Sequence, residues 1–124
     1  MVIRNNYSQL QAPVGPYIHA ALHNRVLYTS GMTAYGTAAD GASTGEQTKE
    51  IFRQLRVMLE EENSGLDKLI KVTIFVRDLS ILDSLRIILF EIYGEHIPAS
   101  SVVEVKSLFA PSVEIEIEAI AAVG

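Results

Sequence analysis

The 124 residues are 48% hydrophobic and 20% charged, a balance that excludes a disordered polymer and suits a single domain over 1–124. Fifteen Asp and Glu against ten Lys and Arg leave a net charge of −5. With no Lys/Arg run, the basic patch that nucleic-acid binding requires is missing, so no nucleic-acid partner is expected. Cysteine is absent, which removes disulfides, thiolate chemistry and Cys-ligated zinc. The first sixteen residues are polar and carry no apolar run of signal-peptide length. The longest apolar stretches, such as Ile87–Phe90, fall far short of the ~20 residues of a membrane span. A cytoplasmic protein without a membrane partner is the expectation.

In chain order, Ala12–Tyr17 holds two prolines around a glycine and reads as a turn. Two short strands follow, broken by a turn at His23-Asn24, and the second ends at Ser30-Gly31. Residues 34–44 are small and loop-like. Thr44 and Gln47 then form a Thr-x-x-Gln capping box ahead of a helix whose apolar stripe is Ile51, Leu55, Met58 and Leu59. Asn63-Ser64-Gly65 stops that helix, with Gly65 at the expected terminus. Leu69–Val76 is β-branched and apolar on both faces, the mark of a buried central strand. Ser80 is placed to cap a second helix that Gly94 closes, and residues 100–105 and 112–122 supply two last strands. The order β-β-α-β-α-β-β gives an α+β fold, one sheet with two helices on one face.

The last strand carries the sharpest signal. Val113, Ile115, Ile117 and Ala119 share one face, whereas Glu114, Glu116 and Glu118 share the other at ~7 Å spacing. With the helices on one side only, the opposite face mixes these glutamates with Ile120 and part of the 69–76 strand. A monomer rarely exposes a large face of that kind, and a ring of identical subunits would cover it. Of the flanking Glu114 and Glu118, one is expected to pair with a Lys or Arg across the sheet and the other to be solvated. His19, His23 and His96 lack metal-ligand spacing, so no metal site is expected.

Read together, "APVGPY", "LYTSG", "EQTKEIFRQLRVMLEE", "SGLDKLIKVTIFVRDL", "GEHIPAS" and "VEIEIEAIA" resemble the RidA/YjgF family of small homotrimeric proteins, in order and spacing from about residue 7 to 122. The resemblance implies a fold similar to bacterial chorismate mutase and a homotrimer with a ligand cleft between neighbouring subunits. It also implies hydrolysis of enamine and imine metabolites to a 2-keto acid and ammonia, without metal or organic cofactor. Other members are described as ribonucleases or translation inhibitors, a reading the net charge disfavours.

By the same resemblance, Glu116 is the water-positioning carboxylate, and Tyr17, Ser30, Gly31 and the backbone N–H of Val102 belong to the cleft. Deaminase members carry an Arg after "P-A" that clamps the substrate carboxylate; here Pro98-Ala99 is followed by Ser100. A hydroxyl brings neither the charge nor the bidentate fork of a guanidinium. Three readings stay open: another cation (Arg86, Arg25, Lys106 or His19) reaches the cleft; the substrate differs and uses Ser100 and Ser101; or the pocket binds a metabolite without converting it. Arg86 stands where the family often has Asn in the second helix, and the alternative for it is a surface pair with Asp83.

Overall fold

The computed structural model describes residues 1–124. Six strands form one sheet: β1 (Ile3–Asn5), β2 (Ala20–His23), β3 (Val26–Thr29), β4 (Leu69–Val76), β5 (Ala99–Glu104) and β6 (Ile115–Ala122). Their spatial order is β1-β2-β3-β6-β4-β5, and α1 (Thr44–Glu61) and α2 (Leu82–Tyr93) pack on one face. Every pairing is antiparallel except β4 with β5, which α2 joins as a crossover. The α+β architecture is the expected one, with one strand more. β1 is short and mostly exposed, and its Ile-Arg-Asn carries no alternation; only pairing with β2 makes it a strand.

Local punctuation differs from the sequence reading in four places, each for a definable reason. Ser43, not Thr44, caps α1: its Oγ accepts from the Glu46 N–H at 3.2 Å. Thr44 is already helical, and Gln47 turns inward to bond Ala42, Ser112 and Glu114 instead of the cap. The α1 stop is Asn63, which takes the left-handed conformation at φ 57°, whereas Gly65 is extended. Asp78, not Ser80, supplies the cap before α2, its carboxylate accepting from the Ser80 N–H in a 3-10 turn that precedes the helix. The β2–β3 turn lies at Asn24-Arg25, one residue later than read, and both have positive φ, as a two-residue hairpin of type I′ requires. Gly94 closes α2 as expected.

β4 is a correction of greater consequence. Val72, Ile74 and Val76 are fully buried, but Lys71, Thr73 and Phe75 are only half-buried, so the strand alternates rather than being covered on both faces. An irregularity in register between Leu69 and Lys71 leaves Ile70 exposed. Helices cover only the inner face, where Leu27, Ile115, Ile117 and Ala121 meet Ile51, Phe52, Leu55, Met58 and Leu59 of α1 and Leu85 and Leu89 of α2. Each such fully buried side chain stabilises the fold by about 1.5–3 kcal/mol.

The outer face carries what pairing and alternation assign to it. Tyr28 lies opposite Ile120, Ile120 opposite Lys71, Thr73 opposite Glu118, and Phe75 between Glu116 and Val103. Glu114 sits 3.5 Å from the Arg77 guanidinium, and Glu118 is exposed, the division expected for the flanking glutamates.

Candidate functional site

The site begins where β3 leaves the ladder. Thr29 turns its hydroxyl inward to accept from the Ala119 N–H at 2.9 Å. Met32 then rejoins β6 through two backbone bonds with Ile117, of 2.8 and 3.0 Å. Pinned at both ends, Ser30 and Gly31 run beside β6 and bring Gly31 under Glu116. A Cβ added at Gly31 would overlap Glu116 Oε2 and lie 2.8 Å from its Cδ. Glycine is therefore needed here for space, because the carboxyl group lies directly over the backbone.

Glu116 opens into a cavity of about 940 Å³ bounded by the 9–19 segment, residues 30–38, one face of α1 and Phe109. Burial pushes the Glu116 carboxyl above the ordinary glutamate value, and the negative charge of neighbouring Glu118 adds to the shift. A carboxyl with a raised pKa in a cavity can orient a water molecule and exchange a proton with it.

Tyr17, Ser30 and Gly31 line this cavity with Glu116, so four of the residues singled out in the sequence come together. Tyr17 is 46% exposed, and its hydroxyl accepts from the Val14 N–H at 3.3 Å, leaving the phenolic proton free for a ligand. Ser30 donates to the Ile18 carbonyl at 2.6 Å and so offers the cavity only an acceptor. His19 is also at the wall, but both its nitrogens are engaged. Nδ1 accepts from the Tyr7 N–H at 2.9 Å, which leaves the proton on Nε2, 2.7 Å from the Gln11 carbonyl. His19 is thus a clamp on the N-terminal segment.

The remaining candidates lie elsewhere. Ser100, Ser101 and Val102 are on β5, separated from β6 by β4. Ser100 is level with Val72 and Ala119, two strands across and three residues along from Glu116. Strand spacing and rise put that separation at about 14 Å. Ser101 accepts a bond from Lys71 Nζ at 2.9 Å. Arg86 is on the exposed surface of α2, 3.7 Å from Asp83, and neither it, Arg25 nor Lys106 lines the cavity.

Three α1 residues at the cavity wall, Glu50, Arg53 and Gln54, were not among the site residues expected from the sequence. Arg53 forms a fork on Glu50, with Nε–Oε1 and Nη2–Oε2 both 2.8 Å, and holds the Glu50 pKa below its usual value. Gln54 donates to the same carboxylate at 2.8 Å and to the Thr33 carbonyl at 3.1 Å. An i,i+3 ion pair reads as a solvated helix face in sequence; only the position of the 30–38 segment turns this one into a wall. Tyr35 and Phe109 pack edge to face at 5.0 Å and add an aromatic wall. No three His, Asp or Glu side chains converge in a way that would hold a metal ion.

A model of the family Endoribonuclease L-PSP matches residues 8–123, nearly the whole chain. The chain belongs to the RidA/YjgF family. Among its relatives, the RutC family protein of Pyrococcus abyssi is 32% identical over 112 residues, covering 88% of this chain and 87% of its own. The mitochondrial protein mmf1 of Schizosaccharomyces pombe is 37% identical over 111 residues, covering 86% and 68%. Of the solved structures, YEO7_yeast superposes with a TM-score of 0.90 at 26% identity, covering all of both chains. The Rid family protein YyfA of Yersinia pestis gives 0.88 at 26%, covering 99% and 100%. The family therefore has this chain's sheet and helix layout. No helix of the chain is long and apolar enough to cross a membrane.

Proposed function

We propose that this RidA/YjgF protein is a hydrolase of small enamine- or imine-type metabolites, with specificity altered by Ser100 at the position of the family's Arg. The observation that carries the reading is the Glu116 carboxyl, with its raised pKa, seated over Gly31 in a cavity that Tyr17 and Ser30 also line. Glu116 orients a water molecule towards the imine carbon. The water oxygen bonds to that carbon, and its proton passes through the carboxyl to the nitrogen. The hydroxyl proton of the carbinolamine then passes to its nitrogen, again through the carboxyl, as the C–N bond breaks, releasing ammonia and leaving a carbonyl. The Tyr17 hydroxyl is free to donate to the substrate nitrogen or oxygen.

A homotrimer belongs to the same reading. Its subunits would meet through the outer sheet face with Tyr28, Phe75, Ile120 and Val103, a surface too apolar to suit a monomer. At about 14 Å from Glu116 in the same chain, Ser100 would reach a ligand only in a cleft completed by a neighbouring subunit. The cytoplasm is the proposed compartment. A non-catalytic metabolite-binding protein is the second reading, favoured by the absence of a guanidinium at position 100.

The test is a deaminase assay with 2-aminoacrylate and longer imino acids generated in situ. Wild type should hydrolyse at least one of them, and Glu116→Ala should reduce that rate by about 10²-fold or more. Ser100→Arg should accelerate 2-aminoacrylate loss, because it restores a bidentate partner for the carboxylate. Silence in wild type and both variants would replace the hydrolase with the binding protein.

A further inference from the structure

We propose that Arg53 is the anion-binding residue of this cavity, and that it selects a ligand whose acid group lies several bonds from the carbon that reacts beside Glu116. The hydrolase reading supplies the reacting end; the anion-binding end rests on geometry alone. Arg53 and Glu116 line the same cavity, and no other Lys or Arg does. His19 offers no substitute, because its two nitrogens are occupied by Tyr7 and Gln11.

The guanidinium is held for the task. Glu50 engages one N–H on Nε and one on Nη2, which leaves three of the five donors free. Arg53 lines the cavity and remains 53% exposed at the side chain, so those donors are open to solvent and to a solute there. Glu50 is itself fixed by Gln54, which grips the Thr33 carbonyl and so ties the ion pair to the segment that carries Gly31. An arginine fixed by one carboxylate can accept a second with little further loss of side-chain freedom. Because Glu50 already offsets part of its charge, the ligand needs additional contacts at the Glu116 end.

The spacing sets the class of ligand. An α-imino acid carries its carboxylate on the carbon that water attacks. Glu116 projects from the outer face of β6, whereas Arg53 stands on α1, which packs against the inner face that Ile115 and Ile117 present. Packed layers lie about 10 Å apart, so the two ends of the cavity are separated by about that distance. An α-carboxylate bound at Glu116 cannot span that gap, whereas a second carboxylate at the end of a short chain can. The recognised ligand is thus of dicarboxylate type.

Titration of the full chain with 2-oxoglutarate and with 2-oxobutyrate, followed by amide chemical shifts, isolates the distal carboxylate. Wild type should bind 2-oxoglutarate at least tenfold more tightly. Arg53→Gln should abolish that preference, and Arg53→Lys should retain part of it, since charge survives without the fork. Thermal melts unchanged from wild type would keep lost binding from being lost structure. Equal binding of the two acids by wild type, binding of neither, or a preference surviving in Arg53→Gln would each overturn the proposal. A preference present in a protein that hydrolyses no imine would sustain the anion site while removing the hydrolase.

Discussion

Gly31→Ala tests the core of the site with a single methyl group. The added Cβ would lie 2.8 Å from Glu116 Cδ and overlap Oε2. An ordinary contact between such atoms is about 3.5–4.0 Å, so the carboxyl must retreat by about 1 Å. The obstructing atoms are the far end of a flexible side chain, and the backbone of Ser30–Met32 need not move. The stability loss should therefore stay below about 1 kcal/mol, a drop in Tm of no more than about 5 °C. Activity should suffer far more: a 1 Å misplacement of a positioning group costs about 10²-fold. The assay is kcat/KM for imine hydrolysis beside a calorimetric melt, with the Glu116 carboxyl titrated by NMR in both proteins. Full activity and an unmoved Glu116 titration in Gly31→Ala would refute the placement of Glu116 over Gly31. A Tm loss above about 10 °C would show that glycine serves the fold.

Three further outcomes follow from the same structure. Glu116 has its pKa raised by burial and by Glu118, so the folded protein binds a proton more tightly than the unfolded chain. Its ionisation thus removes stability as pH rises from 4.5 through the folded value; Glu116→Gln should stabilise at pH 7 but not below pH 4.5, and Glu118→Gln should lower the Glu116 pKa, both read by pH-dependent melts and NMR. Gln47 is fully buried with three partners at 2.9 Å, so Gln47→Ala, which orphans the Glu114 N–H and two carbonyls, should cost about 3 kcal/mol in urea unfolding. On the outer face, Ile120→Glu should dissociate the proposed trimer without unfolding the chain, measured by sedimentation; an unchanged mass would place the interface elsewhere.

The sidedness of β6 was legible from sequence because strand alternation is rigid: once Ile115 and Ile117 face the core, Glu116 must face away. The helices were legible for the same reason, since the stripe Ile51, Leu55, Met58, Leu59 has only one way to be buried. Caps were misread by a residue or two because Ser43 and Thr44 are chemically equivalent, and the tie from Gln47 to Ser112 crosses 65 positions. β1 escaped notice because its structure comes from the neighbour it pairs with.

The candidate site divides along the same line. Glu116, Tyr17, Ser30 and Gly31 stand in motifs, and a motif is a local pattern that sequence order preserves. Arg53, Glu50 and Gln54 fall inside the "EQTKEIFRQLRVMLEE" stretch, which reads only as a helix with a solvated face; they form a wall only because the 30–38 segment folds back across α1. The sequence by itself determined the fold class, the family and the absence of an Arg at position 100, since each depends on residue identity and local period. Tertiary structure alone decided that Glu116 is half-buried over a glycine, that His19 is fully engaged, and that the cavity's one guanidinium comes from α1. Those facts depend on distances between segments far apart in the chain, which no local pattern encodes.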